Sequence, residues 1–115
     1  MEKNNTLKSD IRTSQDLSAA PLSYTTSIGR KFKLSSIHFK ADAAITETIT
    51  ISKDAKGGAD YDTVLRSISL SAQQNYVFRP DGDEDFQSGD ELKIQCTNAN
   101  PPGVIYATIK LRELD

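Results

Sequence analysis

The chain contains no tryptophan, one cysteine and one histidine, and each scarcity removes a class of function. A single cysteine, Cys96, cannot form an internal disulfide, and with His38 it supplies too few ligands for a transition-metal site. A hydrolytic nucleophile needs a base that is itself oriented by a third group. The only candidate base of this kind, His38, falls on the same strand face as Lys40, which indicates a surface position. We therefore expect no enzyme activity, no metal and no cofactor.

Long apolar runs are missing as well. No stretch approaches the roughly 20 apolar residues that cross a membrane, and residues 1–10 lack the apolar segment of a secretory signal. The net charge is −2 over 115 residues, so the chain has no global basic field of the kind that nucleic-acid binders use. We expect synthesis in a cytoplasm, and neither a membrane nor a nucleic-acid partner.

Charge is instead concentrated in two blocks. The basic stretch, residues 30–40, carries cations without an acid, and the acidic turn, residues 81–91, carries acids without a base. These blocks are either two solvated surfaces or a complementary pair that joins neighbouring subunits. For the second case the interaction candidates are Arg30, Lys31 and Lys33 in the basic stretch and Asp81, Asp83, Glu84 and Asp85 in the acidic turn.

The acidic turn also spaces its carboxylates two residues apart, as calcium-binding loops do. However, Phe86 stands where the loop of an EF-hand has its glycine, and Leu92 stands where that loop ends in glutamate. We expect a solvated turn and no calcium site.

Residues 1–20 are mostly polar, and Leu7, Ile11 and Leu17 are spaced too unevenly to define a helix face or a strand face. This pattern predicts an N-terminal arm over residues 1–20 and one folded domain over residues 21–115.

Apolar residues alternate with polar ones through most of the remaining chain, which is typical of half-buried strands. Clear examples are the runs around Leu22, Ile49, Leu92 and Ile105. The alternation slips by one residue at Ser35-Ser36, which indicates a β-bulge or two strands that meet at a sheet corner. Residues 41–44 have the composition of a short connection.

About seven strands without a helical period favour an all-β fold, an antiparallel β-sandwich or jelly roll with an extended N-terminal arm. A small barrel stays open, because closure cannot be read from the number of strands.

Three segments of the second half occur in a recognisable order. Residues 59–65 begin a strand with Tyr-Asp, residues 88–92 contain a Gly-Asp turn, and Cys96-Thr97-Asn98 precedes a closing strand over residues 105–111. This order resembles the C-terminal pattern of small tailed-phage virion proteins and covers roughly half of the chain.

The resemblance implies an accessory particle protein, a capsid cement or decoration protein that bridges capsomers. Its partners would be the major capsid protein and copies of itself, and its location the virion. One alternative is a tail, baseplate or fibre module that binds host glycans on exposed tyrosines. For that role Tyr24, Tyr61, Tyr76 and Tyr106 would have to replace the missing tryptophan, although Tyr24 and Tyr76 are expected partly in the core. Another alternative is a free-standing binding domain of cellular origin.

Overall fold

A computed structural model describes residues 7–27, 29–56, 58, 62–80, 84–99 and 103–113. Within these ranges the chain forms nine β-strands. They are β1 (Leu7–Asp16), β2 (Leu22–Thr26), β3 (Phe32–Ile45), β4 (Thr48–Asp54), β5 (Thr63–Ser69), β6 (Gln73–Phe78), β7 (Glu84–Phe86), β8 (Glu91–Cys96) and β9 (Val104–Glu113). No helix that could span a membrane occurs in the part of the chain described.

The strands form two antiparallel sheets. Sheet A has five strands in the order β1-β9-β3-β6, with the short β7 pairing beside β3, and sheet B has four in the order β2-β8-β4-β5. Every pairing described is antiparallel. The predicted all-β antiparallel sandwich is therefore confirmed.

The core lies between the sheets and is built by the strand alternation read from the sequence. Sheet B contributes Ile49, Ile51, Leu92, Ile94 and Cys96, and sheet A contributes Phe32, Leu34, Ile37, Phe39, Ile105 and Ile109, all buried. Burial of such a side chain stabilises the fold by about 1.5–3 kcal/mol, so these two faces supply most of the driving force for folding. Cys96 belongs to this core, since it continues the alternation of Leu92 and Ile94.

The slip in alternation at Ser35-Ser36 is a β-bulge. Leu34 pairs with Leu111 and Ser36 with Lys110, so two steps along β3 match one along β9. Because of the extra residue, Leu34 and Ile37 both face the core although their parities differ.

The connection predicted over residues 41–44 is wrong. β3 continues to Ile45, and Ala41 is buried where it pairs with Ile105 of β9. Alanine fits here because the core encloses the side chain, so its small size reflects packing within the sheet and not a turn.

The arm predicted over residues 1–20 needs correction for the part that the structure describes. β1 pairs with β9 along its whole length, and Leu17 directly after it is fully buried. β1 lies at the edge of sheet A, where half-buried positions tolerate Thr13 and Gln15 beside Ile11. The alternation is present but uses polar residues, so apolar periodicity does not reveal it. Residues 1–6 lie outside the described residues.

Candidate interaction surfaces

The basic stretch and the acidic turn meet within one chain, where β7 pairs with the start of β3. Lys33 lies opposite Asp85 in the register, and the lysine Nζ is 2.7 Å from the carboxylate Oδ1. One strand position earlier, the rings of Phe32 and Phe86 stack with centroids 4.6 Å apart. The side chains of the ion pair are 33% and 61% exposed, so the pair contributes only about 0–1 kcal/mol, and the buried phenylalanines hold β7 in place.

A lysine from the other sheet reinforces this contact. Lys53 of β4 donates a hydrogen bond from Nζ to the backbone carbonyl of Asp85 at 2.9 Å, and its Nζ lies 5.1 Å from the centre of the Phe86 ring. Cation–π contacts of this kind contribute about 0.5–1 kcal/mol where water has access. β7 is thus attached to both sheets of the sandwich.

The other predicted interaction residues have separate positions. Arg30 and Lys31 are exposed just before β3, and Glu84 begins β7. Asp81 and Asp83 lie outside the described residues, so the pairing of whole charge blocks between subunits stays a prediction. Among the side chains described, no three His, Cys, Asp or Glu residues group as metal ligands would.

The Gly-Asp turn of the phage-like pattern is held by a buried carboxylate. Asp90 accepts hydrogen bonds from the backbone N–H of Gln87 at 2.9 Å and from that of Lys56 at 3.0 Å. Gly89 precedes it with φ of +94°, a left-handed conformation that favours glycine. Asp90 therefore closes its own turn and ties it to the end of β4.

A second buried carboxyl group, Glu47, joins loops at the opposite end of sheet B. Its Oε1 accepts hydrogen bonds from the Thr97 hydroxyl at 2.7 Å and from the Ala99 N–H at 2.9 Å. Burial first, and the charge of Glu47 second, raise the pKa of the neighbouring Cys96 thiol to about 11. Glu47 was not among the residues predicted from the sequence. Its position as a single acid between Thr46 and Thr48, with an apolar strand on either side, is the feature that could have indicated it.

The outer face of sheet A is cationic. We call the following residues of β1, β3 and β9 the cationic face: Arg12, Lys40, Lys110 and Arg112. Their neighbours in register show that they share one side of the sheet, since Arg12 pairs with Thr108 and Lys40 with Tyr106. Tyr106 is 48% exposed between them.

Four described acids lie on this side of sheet A. Asp10 lies within it, with Oδ2 3.8 Å from the Lys110 Nζ, a distance too long for a strong hydrogen bond. Asp16 and Asp42 lie at one end of the sheet, beyond Tyr106, and Asp85, which pairs with Lys33, lies at the other end. The sequence does not reveal the cationic face, because its residues are far apart in the chain and only the pairing of β1, β9 and β3 brings them together.

The outer face of sheet B differs in chemistry. It presents hydroxyl and amide side chains from four strands, among them Ser23, Thr25, Thr48, Thr50, Ser52, Ser67, Ser69 and Gln95. Lys93 lies half-buried in the same face, opposite Thr25 and Ser52. The sandwich therefore has one cationic side and one largely neutral side.

The tyrosines do not gather on one described surface. Tyr24 and Tyr76 pack against the core, as predicted, and Tyr76 stacks on Phe39 with ring centroids 6.1 Å apart. Tyr106 is exposed on sheet A, and Tyr61 lies outside the described residues.

Comparison with known proteins adds information about the fold. No protein-family model matches the chain, and no curated protein matches its sequence. The crystal structure of PirA is similar over 95% of this chain and 96% of that chain, with 17% sequence identity and a TM-score of 0.51. At this identity the similarity shows a shared fold alone.

Two further solved structures are similar at lower TM-scores. The Drosophila NLP-core, whose crystal structure concerns pentamer formation and histone binding, matches over 90% of this chain and 97% of that chain, with 16% identity and a TM-score of 0.48. The structure of infectious bursal disease virus, Gx strain, matches over 93% of this chain and 31% of that chain, with 9% identity and a TM-score of 0.42. Neither similarity identifies a function for this chain.

Proposed function

We propose that this chain is a structural protein of a tailed-phage particle, a capsid cement or decoration protein that stabilises the head by bridging capsomers. In this role its partners are the major capsid protein and copies of itself, it acts without catalysis or a cofactor, and it resides in the virion after synthesis in the host cytoplasm.

One observation carries the proposal: two of the three segments that resemble phage virion proteins form turns and internal strands of the sandwich. The Gly-Asp turn leads into β8 and is closed by Asp90, Thr97 is hydrogen-bonded to Glu47, and the closing strand is β9 in the middle of sheet A. A recurring pattern that specifies turns and central strands supports a structural role, in which the protein acts through its contacts with other proteins. A catalytic family would place its recurring residues in a site.

The two sheet faces offer the contact area that such a protein needs. A cement protein binds where capsomers meet and resists pressure through many small contacts, so broad and chemically different faces suit it. The ion pair between Lys33 and Asp85 is satisfied within the chain, so these two residues are less suited to join subunits than the sequence alone suggested. Lys31, which is exposed, is the better test of that idea.

The alternative of a glycan-binding tail, baseplate or fibre module has less support. Stacking on sugars needs several aromatic rings on one face, and of the tyrosines described only Tyr106 is substantially exposed.

Co-purification with particles tests the proposal. Virus particles from cells that carry the gene should be purified on a density gradient, and the copy number of this chain should be measured against the major capsid protein by quantitative mass spectrometry. We expect a fixed ratio to the major capsid protein and many copies per particle. Absence from the particle fractions, or a few copies confined to isolated tails, would contradict a cement role.

The oligomeric state of the free protein gives a second test. Sedimentation at low and at high salt should show a homo-oligomer, and Lys31→Glu should weaken it if the basic stretch joins subunits. A wild-type protein that is monomeric and also absent from particles would remove the structural role altogether.

A further inference from the structure

We infer that the cationic face is the surface by which this protein docks onto a carboxylate-rich protein surface. This inference rests on the proposed function, because it assigns the contact with the particle to one side of the sandwich.

Charge segregation is the first argument. The chain as a whole is acidic, with a net charge of −2 and a sequence pI of about 5.4, yet the cationic face places four cations together on the outer side of sheet A, beside the ion-paired Lys33 and Asp85. Of the four acids described on that side, Asp10 lies within the group, and Asp16, Asp42 and Asp85 lie at the ends of the sheet. Such a patch attracts and orients a partner of opposite sign, and it fixes the register of docking more than it adds affinity.

The distribution of apolar groups supports a protein partner. Of the three exposed large apolar side chains described, two lie on this side of the sandwich. Tyr106 is 48% exposed between Ser14 and Lys40 in the register, and Val77 of the edge strand β6 is 38% exposed beside His38; the third, Val64, is 64% exposed on β5 of sheet B. Energetically important interface residues are enriched in tyrosine and arginine near the centre of the contact. The cationic face thus combines apolar contact area with surrounding positive charge.

The same observations disfavour nucleic acid as the occupant. A phosphate backbone carries continuous negative charge, and a strand laid along sheet A would pass Asp16 and Asp42 at one end and Asp85 at the other. A stacking platform for bases also needs several aromatic rings, and of the tyrosines described Tyr106 alone is exposed on this face. A protein surface with a compact group of Asp and Glu residues could contact the cationic face without approaching Asp16, Asp42 or Asp85.

Two matched charge reversals test the inference. Lys40→Glu reverses a lysine on the cationic face, and Lys93→Glu reverses one on the outer face of sheet B, so both variants change the net charge equally. Purified wild type and variants should be titrated onto particles stripped of this protein, and bound protein measured at one fixed ionic strength. We expect Lys40→Glu to bind about tenfold more weakly and Lys93→Glu to bind as wild type does.

Controls separate loss of docking from loss of folding. The melting temperature and circular dichroism spectrum of each variant should match wild type, and Lys40→Gln, which only neutralises the charge, should bind with intermediate affinity. If Lys40→Glu alone failed to fold, an unchanged affinity of Lys40→Gln would still overturn the inference.

Zero-length cross-linking identifies the partner groups. A carbodiimide joins lysine amines to carboxylates in direct contact, so treated particles should yield peptides that link Lys40 or Lys110 to Asp or Glu of another particle protein. Cross-links that involve Lys93, with none at Lys40 or Lys110, would overturn the inference. Release of the protein by nuclease treatment would also overturn it and would indicate a nucleic-acid partner.

The outcomes distinguish this inference from the proposed function. If wild type and both charge reversals occupy the particle equally, the cement role stands and the cationic face is not its docking surface. If wild type does not bind at all, the proposed function fails and the inference fails with it.

Discussion

Raising the pH above about 9 should destabilise this protein through one buried thiol, Cys96. Burial, and then the charge of Glu47, raise the pKa of Cys96 from 9.0 to about 11. The folded state therefore keeps a proton that the unfolded chain has already released, and protons bound more tightly by the folded state stabilise it. This stabilisation is fully present below a pH of about 9 and is lost as the pH rises towards about 11.

The size of the effect follows from the shift in pKa. Each pKa unit corresponds to about 1.4 kcal/mol, so a change from 9.0 to about 11 predicts a loss of about 3 kcal/mol. Small domains have a free energy of unfolding of about 5–15 kcal/mol, so the loss would be a large and measurable fraction.

Urea denaturation under reducing conditions at about pH 8 and about pH 11 measures this loss. Lysines and tyrosines titrate in the same range, so Cys96→Ala serves as the control. Because the folded thiol is half ionised at about pH 11, wild type should lose about 2 kcal/mol more than the variant between these two pH values. Glu47→Gln keeps an acceptor oxygen but removes the charge, so it should lower the folded-state pKa of Cys96 and make the loss smaller, while the onset stays near pH 9, the pKa of the unfolded thiol. Equal losses in wild type and Cys96→Ala would refute the reasoning.

Three further predictions concern β7 and the turns. Phe86→Ala should lower the free energy of unfolding by about 3–5 kcal/mol, because it removes the buried ring that holds β7, and urea denaturation measures this. Lys33→Ala should lower it by no more than about 1 kcal/mol, since its ion pair is partly exposed; a larger loss would show that the pair matters more than the rings. Gly103→Ala should destabilise more than Gly29→Ala in thermal melts. Both glycines have positive φ, but a Cβ at Gly103 would lie 2.6 Å from the Asp42 Oδ1, whereas one at Gly29 meets nothing within 4 Å, and equal effects would contradict the steric argument.

Much of the sandwich could be predicted from the sequence, because a strand with one buried face alternates strictly. The runs around Leu92 and Ile105 alternate as predicted, and the slip at Ser35-Ser36 is a bulge, one of the two structures that it indicates. These positions are governed by local alternation, which needs no knowledge of the partner strand.

Features that depend on register could not be predicted in the same way. β1 is an edge strand whose inward positions include the polar residues Thr13 and Gln15. Its place in the sheet is determined by pairing with β9, and its sequence alone does not show an apolar face. The contact of Lys33 with Asp85 and the grouping of Arg12 with Lys40 arise only when strands distant in sequence lie side by side. Local composition showed where charge is concentrated along the chain and gave no information on which side of a sheet carries it.

The location of this protein on a particle tests the central claim most directly. A cryo-electron microscopy map of virus particles from cells that carry the gene should show a two-sheet β-sandwich at positions where capsomers meet, repeated with the symmetry of the shell. A capsid surface without such density, in particles that a mass-spectrometric analysis shows to lack this chain, would contradict the account.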